Sequence, residues 1–399
     1  MLSKKVVLVV YNDFLTDNRV TKEANSLAHA GFHVSVCAVH YPGKTLEVEE
    51  SKHFSVRRID RRVPLLQPFL SYLDDFFSRK ANTTKSRMIS WLRIIVKIPN
   101  YVVLYFKSFF HLIREKPDIV HANDINTLPV VYLAAKFSRF KIVYDAHELC
   151  FDQEGLRQLT PFLKLLEGFL VKRVDRMFTT TDMRAREFQA QYGVSLPRVI
   201  SNKPVYKKIE KSERIRTVLS LDKKPIALYQ GMVQKGRGLF NLLSVAERLP
   251  EVNFVVIGDG ALKQGMQEEV LRREIQNLYF IPKVLTDELH EYTCSADVGL
   301  QLIQNTCKNH YTTDSNKLYE YLMADLFVVA SDFPEIRRVL ESNPKGSLVD
   351  PENIDQIVQA IKIGLEVNQT RENVEGVSAH SWDHSEEPKL IEEYSQIVS

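Results

Sequence analysis

The pattern that most constrains this chain is an alternation, run through twice, of short apolar segments rich in β-branched residues with longer amphipathic ones. Val6–Tyr11, Val34–Val39, Ile119–His121, Ile142–Tyr144 and Met177–Thr180 read as strands, and Asn18–Ala30, Thr127–Phe137, Thr160–Arg173 and Met183–Tyr192 as helices between them. After Pro197 the periodicity fails through Lys203-Pro204 and gives way to charge from Lys207 to Arg216, which reads as a domain link. A second series follows. Ile226–Gln230, Asn253–Ile257, Leu278–Phe280, Val298–Leu302 and Phe327–Ser331 read as strands. Leu239–Arg248, Ala261–Glu274, Asp287–Ala296, Lys317–Ala324 and Ile354–Glu366 read as helices. Such alternation implies parallel sheets covered on both faces by helices. The expected fold is therefore α/β, with two Rossmann-like domains facing a central cleft. Residues 1–205 form the first domain and 206–379 the second, with about 380–399 packing back onto the first. Length agrees, since 399 residues exceed one ordinary core.

Other features narrow the class. The four cysteines, Cys37, Cys150, Cys294 and Cys307, form no CxxC pair, so neither a disulfide framework nor a zinc site is expected. Val6–Tyr11 is too short for the apolar core of a signal peptide, and no apolar run approaches the ~20 residues of a spanning helix. The expected location is cytoplasmic. The formal charge of +3 hides an uneven distribution: residues 51–116 hold 14 Lys and Arg against 4 Asp and Glu. Aromatic residues from Phe69 to Phe110 interleave with cations such as Arg87, Arg93, Lys97 and Lys107. This composition suits peripheral contact with an anionic membrane at its inner face, or equally a pair of core-packed helices with solvated basic faces. Nucleic acid is not expected, because no basic patch or recognition motif lies elsewhere.

In an open parallel sheet, ligands bind where strands end and helix N-termini point. Asp314-Ser315-Asn316-Lys317-Leu318-Tyr319-Glu320 reads as a loop entering a short helix, an anion site suited to a diphosphate. The helix dipole disfavours a cation in the first turn, so Lys317 argues for an arriving anion. Glu320, one turn in, is placed to accept from ribose hydroxyls. Gly231 to Gly238, with Lys235 and Arg237, forms a basic glycine loop after another strand, and Gly258 ends the next. In the first half, His147 stands just beyond Ile142–Tyr144, between Asp145 and Glu148. Val120–Thr127 is a similar strand exit, where Asp124 or Asn126 is expected to cap the following helix. Asp17, Asn18 and Arg19 occupy the first strand-to-helix loop. Together with Asp124 they are the candidate acceptor-side residues.

These segments together resemble glycosyltransferase family 4, retaining enzymes of the GT-B fold. The resemblance runs from Val6 to about Tyr394 and rests most on Asn316–Leu322, Val328–Glu335 and Tyr144–Leu149. Asp17–Val20 with Glu23-Ala24 looks like the opening loop of a subgroup lacking the usual Gly-Gly turn, and Ser381-Trp382 like the terminal crossing segment. It implies transfer of a hexose-type sugar from a nucleoside diphosphate, with retention and with neither metal nor cofactor. The donor contacts it implies are Gly231, Lys235, Arg237, Gly258, Asn316, Lys317, Leu318 and Glu320. Arg237 and Lys317 would hold the diphosphate, Glu320 the ribose, and His147 would approach the transferred sugar, so that His147 and Glu320 are the implied catalytic pair. Cations and a helix N-terminus aimed at a diphosphate leaving group can replace a metal. The implied acceptor is a glycan or a lipid-linked sugar, in surface polysaccharide assembly.

The chain departs from the family pattern at Thr312, where an acid is common, at Asp325 and Phe327, where Gly and Pro usually follow the helix, and around Met232, where an Arg is common. Asp tolerates a left-handed helix end, so the fold is expected to persist. The departures motivate an alternative reading, a catalytically silent GT-B subunit that scaffolds a partner.

Overall fold

The computed structural model describes residues 4–63, 66–83, 87–152, 160–341, 345–369 and 380–398, excepting the side chains of residues 74, 77–95 and 368–369. The side chains of Arg87 and Arg93 therefore lie outside the described residues. The first series comprises β1 (Lys5–Val9), α1 (Asn18–His29), β2 (His33–His40), β3 (Val48–Glu50), β4 (Ser55–Asp60), α2 (Gln67–Thr83) and α3 (Arg87–Glu115). It continues with β5 (Ile119–Asn123), α4 (Leu128–Ser138), β6 (Lys141–Ala146), α5 (Thr160–Leu170), β7 (Arg176–Thr179), α6 (Asp182–Tyr192) and β8 (Arg198–Val199). These strands form one sheet in the order β3-β4-β2-β1-β5-β6-β7-β8. β1 runs parallel to β2 and β5, and β5 to β6, while β3 closes one edge antiparallel to β4. The basic aromatic stretch folds as β4, α2 and α3; the short β3 and β4 carried no clear signal in the sequence.

The second series holds α7 (Arg214–Leu219), β9 (Ile226–Gln230), α8 (Leu239–Arg248), β10 (Asn253–Ile257), α9 (Lys263–Arg272), β11 (Leu278–Ile281), α10 (Thr286–Thr293) and β12 (Val298–Gln301). It ends with α11 (Lys308–Tyr311), α12 (Asn316–Met323), β13 (Phe327–Ser331), α13 (Pro334–Leu340), β14 (Gly346–Val349), α14 (Ile354–Gln369) and α15 (Glu387–Val398). Its sheet has the order β11-β10-β9-β12-β13-β14, and the pairs are all parallel. Side chains alternate across such a strand, so both faces must be apolar for both to be covered. β9 meets that demand: Ala227 and Tyr229 join one core, Ile226 and Leu228 the other.

By contacts the chain separates into two compact units. One holds residues 1–147, 162–178 and 391–399; the other holds 148–161 and 179–390. This differs from a boundary at residue 205. Residues 179–205 sort with the second unit because Thr181 Oγ1 donates to the Thr312 carbonyl (2.9 Å) and the Arg184 guanidinium reaches the Asn309 carbonyl (3.1 Å). The segment before α15 is likewise tied within that unit, where the buried Trp382 donates its N–H to the Pro204 carbonyl (2.7 Å). From Ile391 onward α15 joins the first unit, where the Tyr394 hydroxyl meets His121 Nδ1 at 2.8 Å.

Candidate functional site

The second unit gathers its candidate residues around the ends of β9, β10 and the start of α12. Gly231 follows β9 with φ 128° and Gly258 follows β10 with φ 147°, backbone angles that side chains rarely adopt. The two loops lie in contact. A Cβ on Gly258 would stand 1.9 Å from the Gly231 carbonyl oxygen, so only glycine lets them close. The Gly231 N–H donates to Ile257 O and the Val233 N–H to Asp259 O, at 2.9 and 3.0 Å.

The start of α12 projects beside these loops. Ser315, at φ 56°, is the N-cap and makes no side-chain capping bond. Among the described residues, the Asn316 and Lys317 N–H groups of the first turn have no hydrogen-bond partner. The Lys317 side chain is buried, with Nζ 3.8 Å over the Tyr229 ring centroid. No carboxylate lies within ion-pair distance of it among the described residues. Burial, then the nearby Arg237, drives its pKa well below the usual lysine value, and Glu320 opposes that only in part. A buried amine with no ion-pair partner among the described residues, beside a second cation and unpartnered helix N–H groups, has the chemistry that suits an anion.

Glu320 is aimed by residues that sequence reasoning missed. Gln230 Nε2 donates to Glu320 Oε2 at 2.6 Å, and Thr293 Oγ1 donates to Gln230 Oε1 at 2.9 Å. The signal for Gln230 was present, since a polar residue ends an otherwise apolar strand; Thr293, on α10, offered none. Leu318 turns into the core rather than toward the loops. Lys235 is exposed and Arg237 half-buried. At the departures from the family pattern the chain is well satisfied. The Thr312 hydroxyl donates to Lys308 O (2.8 Å) and accepts from Arg184 Nε (3.3 Å). Asp325 takes the left-handed φ of 61° and pairs with Lys345.

In the first unit the candidate residues meet around a buried charge cluster. In space the His147 ring lies between Asp145 and Asp124. The parallel register sets Asn123 opposite Asp145, so Asp124 at the end of β5 comes beside the end of β6. The His147 ring reaches Asp124 Oδ2 through Nδ1 at 3.3 Å and Asp145 Oδ2 through Nε2 at 3.1 Å. Its backbone N–H donates to Asp124 Oδ1 at 3.1 Å. Burial opposes the charged ring, yet Asp124 and Asp145 outweigh it and raise the His147 pKa to about 9. Asp124 thus serves His147 rather than the helix it was expected to cap. The N-cap of α4 is Thr127, which makes no side-chain capping bond.

Arg19, expected on the acceptor side, instead turns inward. Its Nε donates to Asp145 Oδ2 at 2.7 Å and stands 3.2 Å from Glu23 Oε1, and all three residues are buried. Two acids within reach of one guanidinium can explain the inward turn. Arg19 and His147 hold the Asp145 carboxyl well below the usual range against burial, and burial pushes the neighbouring Glu23 up. Glu23, His121 and Asp145 offer three ligand atoms within 4.8 Å of one another, but the Arg19 guanidinium already lies against two of them. Asp17 caps α1, accepting from the Val20 N–H at 3.1 Å, and Asn18 is exposed in its first turn.

Comparison with known proteins agrees with this architecture. The model of the glycosyl transferase 4-like domain matches residues 17–203, and that of glycosyl transferases group 1 matches residues 210–376. The chain is 24% identical over 157 residues to the putative colanic acid biosynthesis glycosyl transferase WcaI of Escherichia coli K12, covering 38% of this chain and 39% of that protein. It is 23% identical over 327 residues to the sulfoquinovosyl transferase SQD2 of Arabidopsis thaliana, covering 76% of this chain and 61% of that one. The matches therefore span less than two thirds of either relative. Among solved structures, Anabaena HepE in complex with UDP is similar at a TM-score of 0.69 and 13% identity, covering 99% of both chains, and HepE is also solved with UDP-glucose.

Proposed function

The chain belongs to the GT4-like glycosyltransferases of the GT-B fold, and from that premise we propose that it moves a sugar from a nucleoside diphosphate to a hydroxyl of a glycan or lipid-linked acceptor. The observation that carries the reading is Lys317, a buried ammonium with no carboxylate partner among the described residues. In this reading Lys317, Arg237 and the first N–H groups of α12 bind the diphosphate. Their charge is worth most in the transition state, where negative charge grows on the leaving group, so no metal is needed. Glu320, aimed by Gln230, binds the ribose. The complexes of HepE make UDP the first nucleotide to try.

His147, charged at neutral pH with its two ring nitrogens on Asp124 and Asp145, approaches the transferred sugar as a positive charge and does not act as a base. The proton of the acceptor hydroxyl then passes to the leaving phosphate oxygen as the new bond forms on the same face, with retention of configuration. Its proposed work is surface polysaccharide assembly, at the cytoplasmic face of a membrane. The likeness to WcaI supports the pathway class. The test is incubation with nucleotide sugars and lipid-linked acceptors, with and without EDTA, followed by NMR of the product anomer. A retained linkage formed in EDTA fits the proposal. An inverted product, dependence on a divalent ion, or a trapped covalent glycosyl-enzyme contradicts the mechanism.

A further inference from the structure

Three helices of the first unit lie in a row. The Phe109 ring on α3 is 5.4 Å from that of Phe137 on α4, and Tyr132 on α4 is 5.9 Å from Phe169 on α5. Their outer surface is apolar. On α3 the side chains of Ile98, Val102, Phe106 and Phe110 are all exposed, and their spacing of four places them in one stripe. α4 adds Leu133 and Phe137, the latter 68% exposed; α5 adds Phe162, Phe169 and Leu165, which is 75% exposed. A contiguous exposed apolar face of this kind marks an interaction site.

The helices that form it are strongly basic. Residues 96–115, 128–139 and 160–173 contain eight Lys and Arg and two acids, Glu115 and Glu167. Glu115 pairs with Lys5 at the end of α3, and Glu167 is buried and accepts from the Tyr144 hydroxyl at 2.6 Å. The cations lie among the rings themselves. Lys136 Nζ is 4.7 Å from the Tyr132 centroid, and the Arg173 guanidinium is 3.6 Å from that of Phe169.

We propose that the outer face of α3, α4 and α5 docks on an anionic lipid bilayer. Its rings enter the boundary between headgroups and acyl chains while Lys97, Lys136 and Lys164 meet lipid phosphates. The proposal deepens the reading of a membrane-bound acceptor and rests on it. It also moves the contact from residues 51–116 alone to a surface that includes α4 and α5. A second copy of the chain fits this face poorly, because a two-fold contact sets cations against cations with no exposed acid between them.

The test is co-sedimentation with vesicles of phosphatidylglycerol and phosphatidylcholine, compared with phosphatidylcholine alone. The variant is Phe137→Ser/Leu165→Ser/Phe169→Ser, all exposed positions, and the control is Leu271→Ser, an exposed leucine of the second unit. The natural chain and the control are expected to bind anionic vesicles, with the triple variant at least tenfold weaker at an unchanged circular dichroism spectrum and melting temperature. Equal binding by the triple variant, or no binding of the natural chain at low salt, overturns the proposal. So does a dimer in light scattering that the triple variant dissociates, which would assign the face to a second copy. Vesicle binding needs neither donor nor acceptor, so it fails or holds independently of sugar transfer.

Discussion

The charge on His147 is the most quantitative consequence of the structure, and Asp124→Asn is the perturbation that isolates it. Two carboxylate oxygens stand 3.1 and 3.3 Å from the ring nitrogens. At the effective dielectric of a protein surface, one unit charge ~4 Å away is worth about 4 kcal/mol to another. Burial of the ring opposes this and partial exposure of Asp124 screens it, leaving a rise from 6.5 to about 9. At roughly 1.4 kcal/mol per unit, the folded state favours the imidazolium by about 3 kcal/mol. Because the folded value lies above the unfolded one, this stabilisation is complete below pH ~6.5 and is lost as pH rises through about 9. Asp145 works in the opposite sense. Its lowered pKa gives stability that is present above the unfolded carboxylate value and lost in acid.

Asn at position 124 tolerates the left-handed φ of 60° and still accepts the His147 N–H, so the loop is preserved while one negative charge is removed. The His147 pKa is expected to fall by about one unit or more, and the alkaline loss of stability to begin at correspondingly lower pH. The assay is an NMR titration of the imidazole Cε1–H signals, assigned by their loss in His147→Gln, alongside melting temperature against pH. A natural His147 titrating near its unperturbed value, or an unchanged pKa in Asp124→Asn, refutes the reasoning.

Two further outcomes follow from the second unit. Gly258→Ala forces a Cβ to within 1.9 Å of the Gly231 carbonyl at a φ of 147°, and is expected to cost roughly 3 kcal/mol or more by urea denaturation; a change within ~0.5 kcal/mol would contradict the close approach of the two loops. Glu320→Gln is expected to weaken nucleoside diphosphate binding about tenfold, the worth of a charged hydrogen bond. Pyrophosphate binding should stay unchanged, and a loss shared equally by both ligands in calorimetry would remove Glu320 from the ribose.

Much of this was legible in the chain, and what was not has physical causes. Buried parallel strands such as β9 and β10 announce themselves because both faces demand apolar residues. A short edge strand such as β3, with every residue exposed, carries no such demand. The residues of a single loop and helix, Asn316 to Glu320, could be read as one anion site because local geometry alone assembles them. Contacts made between strands were not legible: register brings Asp124 to His147, and Asp145, 126 residues away, draws in Arg19, which was expected on the acceptor side. The grouping of residues 179–205 by contacts was not legible either, since nothing near them shows that Thr312 and Asn309 will hold them.

The central claim is that Lys317 and the start of α12 await a diphosphate. It is tested most directly by the melting temperature of the natural chain and of Lys317→Met with UDP, GDP, ADP, dTDP and CMP at millimolar concentration. One nucleoside diphosphate is expected to raise the melting temperature of the natural chain clearly, since a ligand at ~100 times its Kd adds about 2.7 kcal/mol. Lys317→Met should melt no lower than the natural chain without ligand, because it removes a desolvated ammonium, and should lose most of the shift. No shift with any nucleotide, or an equal shift in Lys317→Met, would contradict the account.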